Sequence, residues 1–231
     1  MKNKLNLITI SFVILLVCSC ASTTTKMTAY KGFYDEKPVA VLIMPPVNNT
    51  QNVDAKDYFY STLNVPICNN GYYVFPPFLT LETLQHESAY DSEMFINNNI
   101  SKFNMLFGAD IVVFTIIKKW KKSMIGSKVT VEIEYIIKSA KTNSVIYDRN
   151  ATLTCDTSVD TGLGSFNPLL GLIANATASA VNTAVTEYTD VARSCNNFVL
   201  SDMPAGKYTG RQGQDGELPA GDKNISETIS K

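Results

Sequence analysis

The chain has 231 residues, enough for one globular domain with tails or for two small domains. Its content of 45% hydrophobic and 18% charged residues excludes wholesale disorder. The formal charge of −1 leaves no basic excess to neutralise phosphates, so nucleic acid is excluded as a partner class.

Lys2 and Lys4 form a short positive start, and Leu7 to Val17 is apolar except for Thr9 and Ser11. A membrane-spanning helix needs about 20 mostly apolar residues, so this shorter run after a basic start reads as a signal peptide. An uncleaved signal anchor is the alternative. Val17-Cys18-Ser19-Cys20 resembles a bacterial lipobox, with an aliphatic, a permissive and a small residue before the cysteine. The resemblance implies cleavage before Cys20 and covalent lipid on its sulfur. Cys18 is the poorer site because bulky Val17 would precede the cut. Residues 1–19 are then the signal peptide, and residues 20–37 a lipidated N-terminus and polar tether. No aspartate follows the cysteine, and by similarity to known lipoproteins this favours the periplasmic face of the outer membrane.

The apolar run Pro38–Met44, closed by Pro45-Pro46, predicts a buried strand. Asn48-Asn49-Thr50 is a loop. Asp54 is placed to cap a helix carrying Tyr58, Phe59 and Leu63, which Pro66 interrupts and Gly71 stops. Tyr72–Phe75 reads as a short aromatic strand closed by Pro76-Pro77. Thr80 starts a second helix. Asp91 starts a third, with Ile96, Ile100, Phe103 and Phe107 on one face and Gly108 at its end. Ile111–Ile117 predicts a central strand.

From Lys128 to Lys138, Val129, Val131, Ile133, Tyr135 and Ile137 alternate with Lys128, Thr130, Glu132, Glu134 and Lys138. That is a half-exposed antiparallel strand, and Glu132 and Glu134 read as part of a salt-bridged surface. Lys141–Ser144 turns the chain into a returning strand through Val145, Tyr147, Ala151 and Leu153. The order predicts one α/β domain, residues 38–202, with a mixed β-sheet packed against α-helices. Pro168–Val185 is uncharged and rich in small residues. It reads as a long helix packed on the sheet or on a second subunit, with a membrane helix as the alternative. Residues 203–231, rich in Gly and Pro, read as a disordered tail.

No motif for catalysis or phosphate binding occurs, and no metal-ligand spacing. His86, the one histidine, sits on a predicted helix surface and reads as solvated. Lys118-Lys119-Trp120-Lys121-Lys122 is the one dense basic patch, and reads as a solvated strand end rather than a headgroup site. Cys68, Cys155 and Cys195 would lie in an oxidising compartment. They allow one disulfide with a thiol left over, or three free cysteines. No cofactor is expected beyond the lipid on Cys20.

Val41–Pro77, Phe107–Trp120 and Val131–Asp148 together resemble a family of bacterial lipoproteins of unassigned function first noticed in Neisseria as an outer-membrane antigen. The Pro-Pro-x-Asn loop, the Ser-Thr-Leu…Gly-Tyr-Tyr-Val-Phe-Pro stretch and the Phe-Gly-Ala-Asp corner carry the resemblance. Asn69-Asn70 stands where that family often has charge. The resemblance implies a fold like the N-terminal domain of TolB, an anticodon-binding-like sandwich also similar to curli-type secretion-channel lipoproteins. It further implies a non-enzymatic accessory subunit of an envelope assembly or export apparatus, partnered by copies of itself or by a channel-like lipoprotein. It brings no catalytic residues. Position and aromatic character suggest a partner surface at Pro45, Pro46, Asn48, Tyr72, Tyr73 and Phe75. The rival reading is a peptidoglycan or polysaccharide binder stacking sugars on Tyr72, Tyr73, Phe75 and Phe78.

Overall fold

The computed structural model describes residues 24–123, 128–156 and 180–230. Two short helices, α1 (Lys26–Ala29) and α2 (Lys31–Glu36), precede β1 (Ala40–Ile43) and β2 (Val47–Asn48). Helices α3 (Ala55–Thr62) and α4 (Asn64–Asn69) lead to β3 (Tyr73–Val74). Then follow α5 (Pro77–His86), α6 (Glu93–Ile96) and α7 (Ser101–Phe107). Three long strands come next: β4 (Ile111–Lys122), β5 (Lys128–Ser139) and β6 (Val145–Asp156). Helix α8 (Ala180–Leu200), a 3-10 turn (Lys207–Thr209) and β7 (Asn224–Ser230) complete the described chain.

The strands form one mixed sheet in the order β3-β1-β4-β5-β6-β7, with β2 also pairing to β4. β1 runs parallel to β3 and β4, while β5 is antiparallel to both β4 and β6. β1 is apolar at every position because both of its faces are covered. Val41 and Ile43 pack in the cluster that holds Phe59, Ile67 and Val199. Leu42 and Met44 pack on the other face with Leu84, Phe95 and Phe103. Helices therefore sandwich the sheet at its β3-β1-β4 end.

The alternation along β5 places Val129, Val131, Ile133, Tyr135 and Ile137 in the core, as the pattern predicts. On the opposite face Glu134 pairs with Lys118 at 2.6 Å, so the acidic residue does sit in a salt-bridged surface. Lys138 does not belong to that surface. It is 3% exposed, and its Nζ donates to the carbonyls of Ile96 (3.1 Å) and Asn98 (2.8 Å). The end of α6 covers it. Trp120 turns inward against Phe59 and Tyr188, while the flanking lysines stay exposed.

Several boundaries differ from the sequence reading. The second helix begins at Pro77, whose missing N–H suits the first helical turn, three residues before Thr80. The third breaks into α6 and α7 around Asn97-Asn98-Asn99, a run that favours turns. Asp54 precedes α3 without a side-chain capping bond. Gly108 closes α7 at φ 71°, as expected of a left-handed stop.

Residues 24–37 are not a tether, and residues 203–230 are not a disordered tail. Tyr30 and Phe33 are buried in the core, and Thr25 bridges to Pro219. β7 pairs along β6 from Asn150↔Asn224 to Asp156↔Ser230. A charged knot ties the two ends together. Tyr30 Oη donates to Asp202, and Arg149 donates to Asp202 Oδ2 at 2.8 Å and to the Gly221 carbonyl at 3.0 Å. The folded body thus exceeds 38–202 on both sides. Low hydrophobicity misleads here because backbone pairing and a few buried anchors, rather than apolar mass, hold these segments.

Candidate functional site

β3 is the edge strand beside β1, and it ends at Phe75-Pro76-Pro77, from which α5 departs. Phe75 N donates to the Val41 carbonyl at 3.0 Å, so the corner is fixed to the buried strand. Tyr60 Oη bonds the Pro77 carbonyl at 2.7 Å from beneath. On this support Tyr73 is 48% exposed, Phe78 68% and Leu79 64%. Tyr73 and Phe75 meet edge-on, with centroids 5.2 Å apart and an 83° interplanar angle. Phe75 in turn touches Phe107 at the end of α7, where Met105 and Leu106 are also exposed. The result is an apolar ridge on rigid elements.

Of the six residues expected at a partner surface, Tyr73 is exposed and Phe75 half-buried at this corner. Tyr72 is a core residue. Alternation along β3 turns it inward, and its hydroxyl donates to the Pro204 carbonyl at 2.8 Å. Burial pushes its phenol well above the ordinary value. Pro45 and Pro46 are buried as well, since they continue β1 beneath Ser92, whose hydroxyl bonds the Pro45 carbonyl. Asn48 is half-buried, and its side chain binds Thr50 and the Asn52 carbonyl, which shapes its own loop. Pro45, Pro46 and Asn48 line a separate cleft of about 310 Å³ with Lys56, Tyr90 and Glu93. Phe78 and Leu79 carry more exposed apolar surface than any of the six. Phe78 already stands among the residues of the glycan-binding alternative; for Leu79 the available signal was its place just inside a helix opened by two prolines.

The Phe-Gly-Ala-Asp corner is structural. Asp110 Oδ2 accepts from the amides of Val39 (2.9 Å) and Ala40 (3.0 Å), and Oδ1 pairs with Lys141 at 2.9 Å. Burial pushes this carboxyl up, but the hydrogen bonds from Lys141, Ala40 and Val39 outweigh it and hold the group below its ordinary value. Cys68 is exposed on α4, whereas Cys155 and Cys195 are buried with their sulfurs 3.8 Å apart. His86 is exposed at the end of α5. Among the described residues no three His, Cys, Asp or Glu side chains gather as a metal site would require. Among the same residues no helix is long and apolar enough to cross a membrane. Cys20 and most of Pro168–Val185 lie outside the described residues.

A family profile described as "Putative lipoprotein GNA1162-like" matches residues 28–210. A curated relative, "Putative lipoprotein NMB1124/NMB1162" of Neisseria meningitidis serogroup B, is 25% identical over 179 residues, covering 77% of this chain and 80% of its own. Among solved structures, lipoprotein GNA1162 from Neisseria meningitidis aligns with a TM-score of 0.47 and 21% identity, over 64% of this chain and 99% of that one. A PelC dodecamer from Paraburkholderia phytofirmans aligns with a TM-score of 0.40 and 12% identity, over 71% and 88%. β7 lies beyond the matched span. The match from α1 through the 3-10 turn takes in most of the chain, and the protein belongs to the GNA1162-like lipoprotein family.

Proposed function

We infer that the protein is a lipid-anchored, non-enzymatic accessory subunit of a cell-envelope assembly or secretion complex. It acts by protein–protein contact, with copies of itself or with a channel-like lipoprotein. The observation that carries this reading is the apolar ridge in which Tyr73, Phe78 and Leu79 are exposed around half-buried Phe75, held on the sheet edge and its proline corner. Exposed aromatic residues on a rigid support are what protein interfaces use as anchors, because little side-chain entropy is lost on docking. Membership of a lipoprotein family supports the anchor, which this reading places on Cys20 at the periplasmic face of the outer membrane. The glycan-binding alternative fits less well. Tyr72 is buried, and the perpendicular Tyr73–Phe75 pair offers no flat platform for a sugar ring.

The test is gentle-detergent purification of the full-length protein from its native membrane, alongside Cys20→Ala. Wild type should fractionate with the outer membrane and bring down copies of itself or a channel-like lipoprotein, while Cys20→Ala leaves the membrane fraction. Recovery alone, together with stoichiometric binding to isolated sacculi, would overturn the assembly reading in favour of glycan binding.

A further inference from the structure

Helix α8 lies along β6, and its inward face is Val191, Ala192, Cys195 and Val199, all at most 1% exposed. β6 turns Ala151, Leu153 and Cys155 toward it, also at most 1% exposed. Between the two elements the Cys155 and Cys195 sulfurs stand 3.8 Å apart. Cys68 is elsewhere, exposed on α4 with its thiol against the Val74 backbone. One pairing out of three is therefore preformed. A disulfide needs the sulfurs at about 2.05 Å, a closure of less than 2 Å for side chains that already face each other.

We propose that Cys155 and Cys195 are joined by a disulfide that staples α8 to β6. The proposal rests on the envelope reading, because such bonds persist only in an oxidising compartment. The oxidant is a disulfide, carried by a small molecule or by a thiol-exchange protein. One protein thiolate attacks it, forms a mixed disulfide and expels the first thiolate. The second cysteine's thiolate then attacks the protein sulfur of the mixed disulfide and expels the other half of the oxidant. Two electrons pass to the oxidant, and the two protons lost by the cysteines end on its two released thiols. Both cysteines are buried in the folded protein, so exchange takes place before α8 settles on the sheet. The bond then closes a loop between residues 40 apart that contains residues 157–179, and keeps α8 from drifting off the sheet.

The experiment traps free thiols with N-ethylmaleimide in denaturant, directly from cells expressing the full-length chain with its own N-terminus, and maps the peptides by mass spectrometry. The expected result is a linked Cys155–Cys195 peptide pair, with Cys68 alkylated. Reduction should lower Tm by about 10 °C in wild type and in Cys68→Ala, and leave Cys155→Ala unmoved. Refolding the purified chain with oxidised glutathione separates the two ways to fail. Free thiols in cells with a Cys155–Cys195 bond after refolding would overturn the native bond by way of the compartment. Outer-membrane protein with all three thiols free both in cells and after refolding, or a bond that includes Cys68, would overturn the pairing and leave the envelope reading standing.

Discussion

Tyr135 donates its phenolic proton to Asn196 Oδ1 at 2.7 Å, and neither residue has any exposed surface. The Asn196 amide donates in turn to Thr62 Oγ1 at 2.9 Å and to the Phe59 carbonyl at 3.3 Å. One side chain thereby ties β5, α8 and α3 together, and the fully buried Tyr135 hydroxyl loses its partner if α8 shifts. Asn196→Leu should destabilise the protein by about 3 kcal/mol and Tyr135→Phe by about 1–2 kcal/mol. Urea denaturation checks both, and the double variant should lose less than the sum.

Asp110 makes stability depend on acid. Its folded carboxyl lies below the ordinary value, so its contribution is complete above the unfolded value of about 4 and is lost as pH falls through the lower folded one. Asp110→Asn should lower stability by about 1–2 kcal/mol near neutral pH, through the weakened bonds to the Val39 and Ala40 amides. Urea midpoints followed downward in pH should converge with those of wild type as the Asp110 carboxylate takes up its proton. Lys141 is half exposed, and Lys141→Ala should change stability by less than about 0.5 kcal/mol.

Gly71 and Gly206 touch backbone to backbone. Gly206 N donates to the Asn70 carbonyl at 2.7 Å, and Tyr208 N to the Gly71 carbonyl at 2.9 Å. A Cβ on Gly206 would collide with the Gly71 carbonyl. A Cβ on Gly71, already at φ 84°, would fall 2.5 Å from Thr209 Cγ2 and 2.6 Å from Thr209 N. Gly206→Ala should therefore destabilise by more than about 2 kcal/mol and open the chain after α8 to limited proteolysis. Gly210→Ala and Gly213→Ala meet nothing within 4 Å and should cost only about 1 kcal/mol for their positive φ.

At the apolar ridge, stability and assembly should separate. Phe78→Ser combined with Leu79→Ser should keep the unfolding free energy from urea denaturation within about 1 kcal/mol of wild type, because both side chains are mostly exposed. The same variant should lose co-purifying partners and run as a smaller species by light scattering. Tyr72→Phe should do the reverse, costing about 1–2 kcal/mol through its lost bond to Pro204 while assembly is kept.

Periodicity revealed most of the sheet and little of its closure. Alternation along β5 and the doubly buried run of β1 were legible because side-chain burial repeats along a strand. Gly108 announced the end of α7 because only a left-handed residue stops a helix that way. β7 was hidden. Asn-Ile-Ser-Glu-Thr-Ile-Ser has one covered edge and few large apolar residues, so its order comes from the ladder to β6 and not from its composition. Tyr72 and Tyr73 look alike in sequence, and the strand decides which is core and which is surface. The Cys155–Cys195 proximity and the Asn196 hub depend on where α8 lands, a long-range fact that no local window holds.

The docking of Thr25 and Lys26 onto Leu218 and Pro219 also sets how a chain lipidated at Cys20 would stand on its bilayer. Three residues separate Cys20 from Thr24, and a chain of that length reaches at most about 14 Å. Such a molecule is moored almost at its hull. On that reading the pole formed by α1 and the Gly216–Pro219 turn, where Met27 and Leu218 are 45% and 54% exposed, would lie toward the headgroups. The protein would then meet its partners from a fixed bearing on the membrane plane, not by searching on a long line.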